Sequence, residues 1–111
     1  KSVRELLGGY RTELPLISIG GYYMPGKTDA DIAREIESYR EAGMAGCKFK
    51  VGGLTPEQDA ARVAVARKAA GDDFILCVDA NRGWSAEDAI RFARLVERHD
   101  IRWFADPCHW Y

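Results

Sequence analysis

The chain is poor in the residues that staple or metallate small proteins, with 3 cysteines and 2 histidines among 111 residues. Cys47, Cys77 and Cys108 are odd in number and lack C-x-x-C spacing, so neither a disulfide framework nor a zinc cluster is expected. Three unpaired thiols suit a reducing, cytoplasmic setting. Long hydrophobic runs are also missing: Phe74 to Val78 is the longest, far below the ~18 residues of a membrane span. Lys1-Ser2-Val3-Arg4-Glu5 has no apolar signal-peptide core. Nor is there an excess of one charge. Sixteen basic against seventeen acidic residues leave a net charge of −1, which gives no footprint for nucleic acid or for an anionic membrane. Gly20-Gly21 and Gly52-Gly53 belong to no G-x-G-x-x-G or Walker A pattern, so a nucleotide site has no support.

What is present is a globular composition, 47% hydrophobic and 30% charged, in a length that suits one domain. After an opening segment, Val3 to Leu7 and Gly8-Gly9, the chain alternates strands and helices. Pro15 to Ile19 reads as a buried strand stopped by Gly20-Gly21. Thr28 and Asp31 open a helix whose apolar face is Ile32, Ile36 and Tyr39, with Gly43 at its end. The plan repeats with a strand from Ala45 to Val51, and a helix opened by Thr55-Pro56-Glu57-Gln58 that runs through Val63 to Gly71. A third strand, Phe74 to Val78, ends in Asp79. Ser85 and Asp88 then cap a helix with the stripe Ala89, Phe92, Ala93 and Val96, and Ile101 to Phe104 forms a fourth strand before Pro107.

Apolar strands alternating with helices imply a parallel sheet covered by helices. Four strands and three helices at a period of about 27 residues match a (β/α)8 barrel, which needs roughly 250 residues when complete. The expected fold is therefore the first half of a TIM-type barrel. The acidic pocket of a flavodoxin-like phosphoacceptor domain is not expected, since Pro15 to Gly21 contains no acidic residue.

Side chains alternate faces along a strand, so Lys48 and Lys50 leave by one face while Cys47, Phe49 and Val51 leave by the other. With Phe49 and Val51 under helices, the lysines face the barrel interior. Like charges held together lower one lysine pKa toward the range of a general base. Ordinary strand-end lysines reaching solvent are the alternative. Asp79 ends the third strand in Asp79-Ala80-Asn81 and faces the barrel mouth, where a carboxylate suits a hard cation such as Mg²⁺. Its alternative role is to start a turn. His109 beside Cys108 reads as loop, and Arg91, Arg94 and Arg98 as a solvated helix face. Trp84, Trp103 and Trp110 read as packing or lip residues.

Taken together, Leu6-Leu7-Gly8-Gly9, Lys48-Phe49-Lys50-Val51-Gly52, Val78-Asp79-Ala80-Asn81-Arg82-Gly83-Trp84 and Trp103-Phe104-Ala105-Asp106-Pro107 resemble the barrel domain of the enolase superfamily, in its mandelate racemase and muconate-lactonizing group. The resemblance implies abstraction of a proton alpha to a carboxylate, with Mg²⁺ stabilising an enediolate. It implies Lys50 as the base, Lys48 as the group that holds the substrate carboxylate and tunes Lys50, Asp79 as a metal ligand, and Asn81 as a neighbour of the substrate. It also makes residues 1–14 the end of a linker from a capping domain and 15–111 the half-barrel.

One departure stands out. The family places a Glu metal ligand just after Trp-Phe, and here that position is Ala105, with Asp106 following and expected to point outward. Metal binding by this chain is thus expected to be weak or absent, and the chain alone is expected to be inactive. The other expectation is assembly. A half-barrel has open edges at strands one and four, and an inner face bearing Ile75, Cys77, Ile101 and Trp103, which together favour a homo-oligomer.

Overall fold

The computed structural model describes all residues from Lys1 to Tyr111. Four parallel strands, β1 (Ile17–Gly20), β2 (Gly46–Lys50), β3 (Ile75–Asp79) and β4 (Ile101–Ala105), lie side by side in chain order. Helices α2 (Asp29–Glu41), α3 (Pro56–Ala70) and α4 (Ala86–Val96) connect them, and a four-residue helix, α1 (Val3–Leu6), precedes them. This is the half-barrel expected from the pattern. The helices start where the caps predict. Thr28, Thr55 and Ser85 accept the amides of Asp31, Gln58 and Asp88, and the first two pairs are closed reciprocally by the acid or amide side chain. Each such cap is worth about 1 kcal/mol. The opening segment gains its helix from a capping box of the same kind, Ser2 with Glu5, although none of its residues is buried.

The core lies between the helices and one face of the sheet. Phe49, Leu76, Val78 and Phe92 are fully buried there, with Ile36, Val63 and Ala66 above them. Each large apolar side chain so placed contributes about 1.5–3 kcal/mol. On α4 the buried stripe is Ala89, Phe92 and Val96, whereas Ala93 is exposed at its margin.

Two expectations fail at the sheet margins. β1 is not buried: only Gly20 is covered, and Ile19 is 50% exposed, because this edge strand has one neighbour and an open inner face. Ile101 does not join the inner face. Leu76 pairs with Ile101 but Val78 pairs with Phe104, so β4 carries a bulge at Arg102 and Trp103 that reverses parity. Ile101 therefore packs on the helix side with the core. Cys77 is on the inner face yet fully buried, between Lys48 and the bulged backbone of Trp103.

At the opposite end of the sheet from the loops that follow the strands, Arg67 ties three segments together. Its guanidinium donates to the carbonyls of His99 (2.9 Å), Gly71 (2.9 Å), Phe74 (2.7 Å) and Asp100 (3.2 Å). These bonds join the end of α3, the start of β3 and the turn into β4. Arg67→Met keeps the aliphatic bulk and strands buried carbonyls, so it should cost about 3 kcal/mol, read as a fall in the urea midpoint with unchanged slope.

Candidate active site

The end of β2 and the end of β3 meet through their inward side chains. Register aligns Lys48 with Cys77 and Lys50 with Asp79, so both lysines reach one carboxylate. Lys48 Nζ lies 2.9 Å and Lys50 Nζ 3.0 Å from Asp79 Oδ2, and Lys50 also donates to Asn81 Oδ1 at 2.8 Å. The Asp79 side chain is 4% exposed. Burial alone would raise its pKa, but Lys48, Lys50 and the Asn81 amide outweigh that and hold it at about 2. The lowered pKa expected of one lysine is not found at Lys48. Its hydrogen bond to Asp79 moves the pKa up, against the opposing effect of burial, and the Asp79 and Asp106 charges add to the rise.

Asp79 combines the two roles left open by its sequence context. Oδ2 faces the lysines, while Oδ1 accepts the Asn81 backbone N–H at 3.0 Å and folds the turn. That turn holds Asn81 (φ 46°) and Arg82 (φ 64°) in the left-handed region, which costs non-glycine residues of order 1–3 kcal/mol each. The Arg82 amide is secured by the Asp106 carbonyl at 2.8 Å, and the Ala80 amide by the Ala105 carbonyl at 3.1 Å. β4 thus braces the turn that carries Asn81.

Ala105 pairs with Asp79 in the ladder, so a methyl group stands on the inner face opposite the carboxylate. Asp106 is exposed, at φ 44°, and is close enough to add a smaller upward push to Lys48. Trp84 is buried, with its indole N–H on the Leu54 carbonyl at 2.9 Å. Trp103 and Trp110 are exposed, Trp110 beneath the Arg82 guanidinium.

Further residues support the site that composition did not single out. Tyr22 places its ring 6.0 Å from Lys50 Nζ. Its loop is pinned by Glu35, which accepts from the Gly21 amide (3.0 Å), Tyr39 (2.9 Å) and Lys27 (2.5 Å), while Lys27 also binds the Tyr22 carbonyl. Glu35 sits one turn after Asp31 on α2, where the sequence offers only another exposed-looking acid.

Residues 31–111 match the family model described as Enolase C-terminal domain-like. The chain belongs to the enolase superfamily, in its mandelate racemase/muconate-lactonizing group. Among enolase-superfamily relatives, L-talarate/galactarate dehydratase of Salmonella typhimurium is 34% identical over 107 residues, covering 96% of this chain and 27% of the relative. Arabinonate dehydratase of Saccharolobus solfataricus is 33% identical over 96% of this chain and 29% of its own length. A crystal structure of a mandelate racemase/muconate lactonizing enzyme from a marine actinobacterium, in complex with magnesium, superposes with a TM-score of 0.86 at 51% identity, covering 96% of this chain and 29% of that one. The chain therefore spans less than a third of the length of these relatives.

Against that family's magnesium, the residues of this chain make a poor fit. Nowhere do three His, Cys, Asp or Glu side chains converge as a metal would require. One carboxylate faces the mouth, it is already paired with two ammonium groups, and the place opposite holds Ala105. Mg²⁺ keeps several waters and needs only one or two carboxylates free to face it, but the single carboxylate here is taken up by two ammonium groups and no second one stands opposite.

Acid should loosen the β1 side of the enolase-type site. Burial raises the Glu35 pKa, but Lys27, the Gly21 amide and Tyr39 more than offset it, leaving the value below its ordinary 4.5. A depressed carboxylate stabilises the fold fully above its unfolded pKa, and that contribution disappears as pH falls through the lower folded value. Glu35→Gln should cost about 1–2 kcal/mol at pH 7, and the gap between it and the parent should close at the acid end of a urea-midpoint series.

Proposed function

We propose that this chain carries the base-bearing strands of a Mg²⁺-dependent enolase-superfamily enzyme, one that removes the proton alpha to a carboxylate by way of an enediolate, as a dehydratase or a racemase. The observation that carries this reading is the convergence of Lys48, Lys50, Asp79 and Asn81 at the ends of two adjacent parallel strands. In it Lys50 takes the proton. Lys48 meets the substrate carboxylate and tunes Lys50, and Asn81 lies beside the substrate. Asp79 would be the one carboxylate of this chain to face the cation. A weakly acidic alpha proton needs both a placed base and fixed charge near the developing oxyanion, and two ammonium groups on one face provide part of that charge. Small acid sugars are the first substrates to try, since two of the relatives are dehydratases of such acids by name. Residues 1–14 end a linker from a capping domain in this reading, and 15–111 form the barrel's first half. Two of the three cysteines are buried and all are free, which is consistent with a cytoplasmic setting.

Alone, the chain should not turn over. Calorimetric titration should give Mg²⁺ affinity no tighter than millimolar, and Ala105→Glu should improve it by roughly tenfold, about 1.4 kcal/mol. Deuterium wash-in from D₂O, followed by NMR over acid sugars and hydroxy acids, should find no exchange in the parent chain. Mg²⁺-dependent exchange that Lys50→Ala abolishes would show that the chain is active after all.

A second reading is a half-barrel that self-associates and catalyses nothing. What favours it is the open sheet: Leu16 is 63%, Ile19 50% and Trp103 45% exposed, beside two unpaired strand edges. Light scattering at micromolar concentration should give a mass above the 12.4 kDa monomer, and Trp103→Glu should shift it toward the monomer. A compact monomer whose stability ignores that substitution would remove this reading.

A further inference from the structure

Behind Lys50, on the helix side of the sheet, lies an ion pair that the chemistry above does not use. Asp59 is fully buried in the first turns of α3, and Arg62, 11% exposed, donates to its Oδ1 at 2.7 Å. A buried ion pair is weak evidence for stability, since apolar residues of similar volume often serve a fold as well. What distinguishes this pair is where its remaining hydrogen bonds go.

β1 ends its ladder at Gly20 opposite Phe49, so Lys50 has no partner residue on that side. Arg62 takes the vacated place. Nη1 donates to the Lys50 carbonyl at 3.0 Å and Nη2 to the Gly21 carbonyl at 2.6 Å, with the guanidinium between the rings of Tyr23 (4.2 Å) and Phe49 (4.9 Å). Asp59 holds the segment that follows, accepting the amides of Gly52 (2.8 Å) and Leu54 (3.3 Å) and the Tyr23 hydroxyl (2.7 Å). Gly52 in turn abuts the turn that carries Asn81: at φ +90° a Cβ there would stand 2.5 Å from the Ala80 carbonyl oxygen.

We propose that Asp59 and Arg62 are positioning residues, which fix the main chain on both sides of Lys50 so that its ammonium meets Asp79 and Asn81 together. The inference rests on the reading of Lys50 as the base. A planar guanidinium is what the geometry asks for, because one rigid fork reaches two carbonyls and a carboxylate, and a lysine ammonium offers only a point charge on a flexible stem.

The test reads hydrogen-bond geometry in the ¹⁵N-labelled chain: the hydrogen-exchange rate of the Lys50 ammonium and the shift of the Asn81 side-chain amide. Arg62→Lys and Asp59→Asn should speed Lys50 ammonium exchange about tenfold, the factor one charged hydrogen bond represents, and should move the Asn81 amide. Val63→Ala, on the same helix and buried as fully as Asp59, controls for lost stability and should leave both signals in place. Tyr23→Phe removes one donor from Asp59 and should shift both signals in the same direction by less; it decides the matter if neither pair variant folds. Unchanged signals in the folded variants, or equal changes in Val63→Ala, would overturn the proposal. Because no proton transfer to substrate is read, the fate of Lys50 as base is settled separately by the deuterium wash-in.

Discussion

Because successive side chains leave a strand by opposite faces, burying Phe49 and Val51 beneath the helices forces Lys48 and Lys50 onto the face that the helices do not cover. The same alternation in β3 buries Leu76 and Val78 outside and turns Asp79 inside. Neither strand chooses its polar residue's position independently of its apolar ones. A substitution that reversed the burial of Phe49 would remove the lysines from the mouth before it touched either of them.

Asp79 then decides what kind of place the mouth is. One oxygen builds the strained turn, and the other receives both ammonium groups, so the two tasks compete for a single side chain. Two lysines against one carboxylate leave the cluster with an excess of positive charge inside partly covered walls. Such a spot draws small anions, a carboxylate among them, more strongly than the near-neutral chain as a whole would suggest. A cation arriving at the same oxygen would have to displace a lysine. This is a physical reason for Asp79 to hold a cation weakly, and it is independent of the methyl group at Ala105.

The periodic features of the fold were legible in the sequence and its singular ones were not. Thr28, Thr55 and Ser85 announced three helices because capping chemistry is local, and Lys48, Lys50 and Asp79 announced a face because alternation is local too. Asp59, Arg62 and Arg67 are not legible from residue type alone, since a charged residue in a helix ordinarily reads as solvent-facing. The available signal was that Asp59 and Arg67 lie on the same stripe as Val63, Ala66 and Ala70, the face that the core must cover. Long-range carbonyls, such as those of His99 and Asp100 for Arg67, leave no trace in a local pattern.

The bulge in β4 shows how much one residue of register can change. Had the ladder run evenly from Leu76 opposite Ile101, Phe104 would stand opposite Asp79, and Trp103 and Ala105 would turn outward beneath the helices. The slip instead sends Phe104 to the helix side, where its ring lies 5.3 Å from Phe92 and 6.3 Å from Trp84. Aromatic pairs of this kind add about 0.5–1.5 kcal/mol beyond the area they bury, enough to offset an interrupted ladder bond. Packing on the outside therefore selects which residue faces the carboxylate on the inside. It places residue 105 on the inner face opposite Asp79 whatever its side chain, so at that point of the mouth the backbone presents a methyl group where a longer polar side chain would reach the carboxylate.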